Sequence, residues 1–255
     1  MVDSFFTELK RRSVFKMSAA CLVLAWVLVQ STCAATEVPL EIKVDNWVLK
    51  GDLSLPDSKP KAFIFMFHKI GGNRNIYKGM ADKFVRLGYA TLRLDLRGHG
   101  KSTNLSSYDH KNPYNKEILI KTHKDIVAAY NTIRSDARFE KLPVGIVGAS
   151  YSGQHAILAS VDTGFADAYI MLAPGSINED SMRTVEASGL NWLFVRTDIE
   201  MDFFDEMFLT IRKISPSSEQ WLIPGEGHAS DMLFSRPLLE SRLVYWMDTA
   251  LFGDH

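Results

Sequence analysis

The sequence predicts an α/β fold with a mostly parallel central sheet, helices on both faces, an antiparallel N-terminal hairpin and no large lid domain. Apolar stretches of strand length alternate with amphipathic stretches of helix length, which is typical of parallel strands joined by crossover helices. Residues 62–67 and 144–148 contain only apolar residues and glycine, which predicts strands covered on both faces. With 255 residues, 46% of them hydrophobic, the chain can bury one sizeable core.

The composition narrows the classes of function. A formal net charge of −1 gives no basis for a nucleic-acid partner. Cys21 and Cys33 both lie near the N-terminus, so the rest of the chain has no cysteine to act as a nucleophile, metal ligand or disulfide partner. Neither a G-x-G-x-x-G nor a Walker pattern occurs, and no nucleotide cofactor is therefore implied.

Residues 1–36 are predicted to be a leader that is separate from the domain formed by residues 37–255. Basic residues precede an apolar run from Met17 to Val29, and small residues follow, as in a secretory signal peptide cut near Ala34 or Ala35. The alternative is an uncleaved membrane anchor over residues 14–33, since about 20 residues span a bilayer. Both interpretations predict an exported domain, either periplasmic or secreted, or tethered to the membrane by residues 14–33.

The globular part begins with two alternating segments. Val38–Val44 and Trp47–Leu55 alternate apolar and polar residues on either side of a short turn, which predicts an antiparallel hairpin. An amphipathic segment closed by Gly88 predicts a helix. After the hairpin, the predicted elements are strand Ala62–Phe67, helix Tyr77–Leu87, strand Ala90–Asp95, a polar loop over residues 96–113, and helix Glu117–Arg134.

The second half of the chain repeats the pattern of strand and helix. Few residues separate Ala173 from Leu190, which leaves no room for a separate lid domain. Ligands are expected at the carboxyl ends of the strands, where parallel sheets of this kind bind them. Beyond residue 160 the predicted elements are strand Ala168–Leu172, strand Leu190–Thr197, helix Phe203–Ile214, strand Gln220–Ile223 and helix Pro237–Leu251.

Ser150 lies at the junction between an apolar strand and a helix. Gly148 stands two residues before the serine, and Ser152 and Gly153 stand two and three residues after it. Such small residues allow strand and helix to approach closely while the serine adopts a strained backbone conformation with its hydroxyl exposed. The context of strand, tight turn and helix is the one in which a G-x-S-x-G-like motif indicates a nucleophile.

This segment resembles the nucleophile elbow of the α/β-hydrolase family, with Ser152 at the position of the usual second glycine. Three further segments resemble the family in the expected order: a loop at His68, an Asp-x-Arg-Gly-His-Gly-x-Ser loop that begins at Asp95, and a Pro-Gly-x-Gly-His loop that ends at His228. The resemblance extends from about residue 38 to the C-terminus. It is closest to lidless members of the dienelactone-hydrolase and small carboxylesterase type.

The resemblance implies a catalytic triad in the order serine, acid, histidine. Ser150 would be the nucleophile and His228 the base, since a serine hydroxyl needs a base within hydrogen-bond reach and an acid to orient that base. Glu200 falls where the family usually has aspartate. Asp202 is the first alternative and Asp198 the second; Asp202 could instead cap the following helix, and all three could form a solvated acidic loop.

The resemblance also implies an oxyanion hole made of two backbone N–H groups. One would come from Tyr151 and the other from Ile70. Related hydrolases show His-Gly-x-Gly in the second loop, whereas this chain has Lys69 in place of the first glycine. The Asp95 loop is interpreted as architectural, and no second ligand with suitable spacing supports His99 as a metal ligand, so no metal site is predicted.

The implied function is that of a serine hydrolase that cleaves small carboxylic esters through an acyl-enzyme, without a cofactor. Two alternatives stay open. A peptidase or amidase could use the same triad, because the fold does not choose the reaction. A non-catalytic exported binding protein of the same fold is the other alternative, suggested by Lys69 and by the absence of aspartate at position 200.

Overall fold

The computed structural model describes residues 36–109, 111, 115–164, 166–175, 177–200, 202–214, 216, 218–234 and 236–253. The predicted leader or anchor, apart from Thr36, lies outside these residues. Among the residues that are described, no helix is both long and apolar enough to cross a membrane.

Eight strands form one mixed sheet in the order β1-β2-β4-β3-β5-β6-β7-β8. The pairs β1–β2 and β2–β4 are antiparallel, and every other neighbouring pair is parallel. The predicted fold class is therefore confirmed. The strands are β1 Thr36–Val44, β2 Trp47–Leu55, β3 Ala62–Phe67, β4 Tyr89–Asp95, β5 Val144–Ala149, β6 Ala168–Leu172, β7 Asn191–Thr197 and β8 Glu219–Ile223.

Most helices lie close to the predicted positions, but the helix Glu179–Ser188 between β6 and β7 was not predicted. Only one helix separates β6 from β7, so no large lid domain is present in the described part of the chain. The α-helices are α1 Lys78–Arg86, α2 Asn115–Ile120, α3 Thr122–Arg134, α4 Tyr151–Thr163, α5 Glu179–Ser188, α6 Asp202–Ile214 and α7 Pro237–Phe252, with 3₁₀ turns at Arg74–Tyr77 and Ala229–Leu233.

The helix predicted over Glu117–Arg134 is instead two helices, α2 and α3. They meet at Lys121, whose φ of −91° and ψ of 5° leave the α-helical region. The hydroxyl of the buried Thr122 lies 3.4 Å from the carbonyl oxygen of Ile118 and gives that group a side-chain donor. Local side-chain bonds of this kind compete with the helical ladder, and the apolar periodicity of the segment does not reveal them.

The central strands are buried at every position, and β4 buries Arg93 and Asp95 together with its apolar residues. This holds for β3, β4, β5 and β6. Because β3 to β8 run parallel to one another, their carboxyl ends meet at one edge of the sheet. The loops after β3, β5, β7 and β8 therefore emerge together, and these loops carry the predicted site residues.

Candidate active site

The backbone of Ser150 is held in an unusual conformation between β5 and α4. Its φ is 53° and its ψ is −124°, a region that residues with a side chain rarely adopt. A Cβ atom on Gly148 would lie 2.7 Å from the Cα atom of Gly153, so strand and helix touch through their backbones. This contact explains why position 148 is glycine, and it shows how closely the strand and the helix that flank the serine approach each other.

Ser152 has a larger role in the elbow than its small size indicated. Its side chain is fully buried. The hydroxyl oxygen accepts the N–H of Ala149 at 2.9 Å and lies 2.8 Å from the carbonyl oxygen of Phe67, the last residue of β3. The elbow is thereby attached to the strand that leads into the His68 loop. The sequence shows only a hydroxyl at the position of the usual second glycine, and it did not predict this contact with Phe67.

His228 lies between Ser150 and Glu200. Its Nε2 atom is 3.0 Å from the Ser150 hydroxyl oxygen, and its Nδ1 atom is 2.8 Å from Oε1 of Glu200. With the glutamate oxygen as acceptor, Nδ1 carries the proton, and Nε2 faces the Ser150 hydroxyl as a hydrogen-bond acceptor. The imidazole is 41% exposed and the glutamate side chain only 7%, so the ring can be reached by water while the carboxylate is shielded.

The three acidic residues after β7 occupy different surroundings. Glu200 contacts His228, whereas Oδ1 of Asp198 accepts the N–H of Gly225 at 2.8 Å. The backbone of Asp202 begins α6, and its side chain lies outside what the structure describes. Oε2 of Glu200 is buried and has no hydrogen-bond partner among the described residues. Of the three acids, Glu200 is therefore the one that contacts the imidazole in the described structure, and it does so through Oε1 alone.

The loop that carries His228 is shaped by its own backbone. Gly227 has a φ of 118°, and Ala229 has a φ of 52° although it bears a side chain. The Thr197 hydroxyl donates to the carbonyl of Gly227 at 3.2 Å, and the N–H of Asp231 donates to the carbonyl of His228 at 3.0 Å. These bonds attach the loop to the end of β7 and to the 3₁₀ turn that follows.

His68 fixes the loop that is expected to supply an oxyanion donor. Burial lowers the pKa of His68 to about 4, so the ring is neutral at physiological pH. Its Nε2 atom accepts the N–H of Leu96 at 3.1 Å, which leaves the proton on Nδ1. That N–H donates to the carbonyl of Lys69 at 2.8 Å, and the N–H of Gly72 donates to the same oxygen at 3.0 Å.

The two hydrogen bonds to the Lys69 carbonyl also orient the N–H of Ile70. The two groups share one planar trans peptide unit and point in opposite directions. Gly71 follows with a φ of 70°, which a turn of this kind favours at its third residue. Tyr151 is the first residue of α4, so its N–H belongs to the helix N-terminal groups that have no acceptor within the helix.

The Asp95 loop packs its charged and glycine residues tightly behind the site. The carboxylate of Asp95 accepts the N–H of Arg74 at 2.7 Å and the N–H of Lys101 at 2.9 Å. A Cβ on Gly100 would lie 2.2 Å from that carboxylate, so the position requires glycine. Nδ1 of His99 bonds the carbonyl of Arg97 at 2.9 Å. Across the described residues, no group of three potential ligands could hold a metal ion.

The family is shown by a match to residues 58–217, which covers well over half of the 255 residues. The matching profile is described as serine aminopeptidase, S33. The chain belongs to this family of α/β hydrolases. The match includes the His68 loop, the Asp95 loop, the elbow and Glu200, and it ends before His228. This family member is therefore a serine hydrolase of the α/β-hydrolase fold. No curated protein gives a significant match to the sequence.

Solved structures share the fold of this family member at low sequence identity. A predicted CIB-like hydrolase from Thermoplasma acidophilum is 18% identical with a TM-score of 0.67, over 84% of this chain and 99% of the other. A dienelactone hydrolase from Anabaena variabilis is 18% identical with a TM-score of 0.65, over 86% and 99%. Est1E from Butyrivibrio proteoclasticus, solved with ferulic acid, is 18% identical with a TM-score of 0.66, over 83% and 98%.

Proposed function

We propose that this serine hydrolase cleaves small carboxylic esters through an acyl-enzyme formed on Ser150. The observation that carries the proposal is the pair of short contacts at His228, with its Nε2 atom 3.0 Å from the Ser150 hydroxyl and its Nδ1 atom 2.8 Å from Glu200. Both distances lie within the reach that proton transfer and orientation of the base require.

In the proposed first half-reaction, the Ser150 oxygen attacks the ester carbonyl carbon while Nε2 of His228 takes the hydroxyl proton. The carbonyl oxygen becomes an oxyanion, which the N–H groups of Tyr151 and Ile70 stabilise. Glu200 compensates the positive charge that the imidazole then carries. When the tetrahedral intermediate collapses, the bond to the alkoxy oxygen breaks, and the same Nε2 returns the proton to the departing alcohol.

In the proposed second half-reaction, water replaces the serine as the nucleophile. The water oxygen attacks the acyl carbon while Nε2 of His228 takes a proton from the water. The N–H groups of Tyr151 and Ile70 stabilise the new oxyanion. Collapse breaks the bond to the Ser150 oxygen, which takes the proton back, and the carboxylic acid leaves. One ester and one water yield one acid and one alcohol, with the enzyme restored.

Two observations support an ester as the substrate. The structural neighbours include a dienelactone hydrolase and Est1E, whose structure holds ferulic acid, and the esterase Pf2001 of Pyrococcus furiosus has the same fold at 15% identity. The described part of the chain also has only a ten-residue helix between β6 and β7. An open site of this kind suits small, accessible esters rather than long-chain lipids buried under a lid.

A peptidase or amidase is the second candidate, and the name of the matching family, serine aminopeptidase, favours it. Amide cleavage requires the imidazolium to protonate a much poorer leaving group than an alkoxide. An assay with an ester and an amide of the same acyl group separates the candidates. Ester turnover without any amide turnover that depends on Ser150 supports the proposal, whereas saturable amide turnover that Ser150→Ala abolishes contradicts it.

A fluorophosphonate probe tests whether the protein is an enzyme at all. The probe should label the wild-type protein, and Ser150→Ala should abolish the labelling, because only an activated serine reacts. A panel of p-nitrophenyl esters of increasing chain length then defines the acyl preference. If the folded wild-type protein is not labelled, the alternative of a non-catalytic binding protein takes the place of the proposal.

A further inference from the structure

Lys69 forms an ion pair that joins two loops of the candidate site. Its Nζ atom lies 3.1 Å from Oδ2 of Asp231. Lys69 directly precedes Ile70 in the loop after β3, and Asp231 lies three residues after His228 in the loop after β8. The lysine is also the residue at which this chain departs from the glycine of related hydrolases, so the departure is accompanied by a specific contact.

Each partner of the ion pair is directly attached to a group that the proposed mechanism uses. The carbonyl of Lys69 and the N–H of Ile70 belong to one rigid peptide unit, so a shift of the lysine backbone turns the proposed oxyanion donor. On the other side, the N–H of Asp231 donates to the carbonyl of His228 at 3.0 Å. The ion pair therefore closes a short connection between the proposed oxyanion donor and the proposed base.

We propose that the Lys69–Asp231 ion pair is a positioning device that keeps the Ile70 loop and the His228 loop in register on either side of Ser150. The proposal rests on the proposed function, since it assigns roles to the Ile70 N–H and to His228. Neither member of the pair contacts the reacting atoms. A misplacement of about 1 Å in a catalytic group can cost about 100-fold in rate, so a link of this kind can matter without touching substrate.

The exposure of the pair separates positioning from simple stabilisation. The Lys69 side chain is 25% exposed and the Asp231 side chain 37% exposed. Pairs this open to water add little to the free energy of unfolding. Each loop also has further anchors: His68 holds the first loop, and Thr197 holds the second. Loss of the pair should therefore leave the fold intact and change the relative placement of the two loops.

A matched control is available at the opposite edge of the sheet. Nζ of Lys61 lies 2.5 Å from Oδ1 of Asp248, and these side chains are 39% and 34% exposed. Lys61 precedes the amino end of β3, whereas Lys69 follows its carboxyl end. Lys61→Met therefore removes an ion pair of similar exposure at the other end of β3 without touching a loop of the candidate site.

The test compares Lys69→Met, Asp231→Asn, the double variant and Lys61→Met. Each single variant of the Lys69 pair should lower kcat on p-nitrophenyl acetate and the fluorophosphonate labelling rate about 10-fold, with KM within about two-fold of wild type. The double variant should be no worse than either single one, because both remove the same interaction. Lys61→Met should leave kcat unchanged. The charge-reversed variant with Lys69→Asp and Asp231→Lys should recover part of the rate.

Hydrogen exchange provides a readout that does not need activity. In Lys69→Met, the amides of residues 69–73 and 225–231 should both exchange faster than in wild type, while Lys61→Met should leave both segments unchanged. If exchange in the His228 loop of Lys69→Met is unchanged, the ion pair does not connect the two loops. This result would overturn the proposal even if the fluorophosphonate probe did not label the wild-type protein, because hydrogen exchange does not depend on activity. Faster exchange with unchanged kcat overturns the positioning role. A rise in KM confined to anionic esters also overturns it, since Lys69 would then bind substrate directly.

Discussion

The serine elbow and the loops of Glu200 and His228 fix their functional groups in different ways. At the elbow, the backbones of Gly148 and Gly153 touch, so the position of Ser150 is set by main-chain packing between two regular elements. Glu200 and His228 lie on loops and are placed mainly by hydrogen bonds, and one oxygen of Glu200 has no partner among the described residues. A site built from backbone contacts leaves a pattern of small residues in the sequence, whereas one built from loop contacts does not.

Removal of Ser150 or His228 should have the largest effect, because the two regions are proposed to act as one unit. Ser150→Ala and His228→Ala should each lower kcat by about 10⁴-fold or more. The double variant should be hardly slower than either single variant. Thermal unfolding should show that all three proteins remain folded. Multiplicative losses would mean that the elbow and the His228 loop work independently, which contradicts the proposed triad.

Glu200→Gln should be the next largest effect and tests the loop side of the comparison. Loss of the charge that orients His228 should lower kcat by roughly 10³- to 10⁴-fold with little change in stability. Asp198→Asn is the matched control, because it makes the same chemical change two residues away, where the carboxylate accepts the N–H of Gly225.

Asp202→Asn completes that series, since Asp202 is the first alternative acid. If Asp202 only stabilises the start of α6, the substitution should change both stability and kcat little, because asparagine is about as good as aspartate at a helix N-terminus. Both kcat and the thermal midpoint should be measured for all three variants. Loss of turnover in Asp202→Asn together with an active Glu200→Gln would transfer the role of the acid to Asp202.

Gly148→Ala tests the elbow side through stability rather than rate. The new Cβ would lie 2.7 Å from a main-chain atom of α4, which cannot move aside as a flexible side chain would. We expect a loss of about 3 kcal/mol or more in the free energy of unfolding, at the upper end for overpacked sites. Gly175→Ala is the control, because its Cβ would lie 3.3 Å from the end of the Gln154 side chain and 3.6 Å from the backbone of Tyr151, with no main-chain atom as close as the one that Gly148→Ala meets. Equal losses in both variants would show that the backbone contact is not special.

The same distinction explains what could be predicted from the sequence. The succession of strands and helices follows from apolar runs, and the elbow follows from small residues at fixed spacing, both of which are local signals. The contacts that were missed join residues far apart in the chain: Ser152 with Phe67, and Lys69 with Asp231. Nothing in the periodicity of either segment indicates its partner. The choice among Asp198, Glu200 and Asp202 stayed open because a loop has no regular spacing that orients its side chains.

The pH dependence of stability should be affected by the helix that begins at the elbow. His155 lies on α4, and burial lowers its pKa to about 4, with His123 nearby adding to the shift. In the unfolded chain its pKa is near 6.5. Between about pH 6.5 and 4, the unfolded state therefore binds a proton that the folded state does not, so the free energy of unfolding falls as the pH falls through this range.

His155→Gln should remove that part of the pH dependence, since glutamine does not titrate. At about pH 5 the pH is roughly 1.5 units below the pKa of the imidazole in the unfolded chain. Protonation of the unfolded chain should therefore lower the free energy of unfolding of the wild type by about 2 kcal/mol. Above pH 7.5, where the imidazole is neutral in both states, variant and wild type should differ by a constant offset. Denaturant unfolding at several pH values measures both quantities. A parallel loss of stability in the two proteins between about pH 6.5 and 5 would contradict this expectation. It would mean that His155 is protonated as readily in the folded protein as in the unfolded chain, so that burial on α4 does not disfavour the charged imidazole.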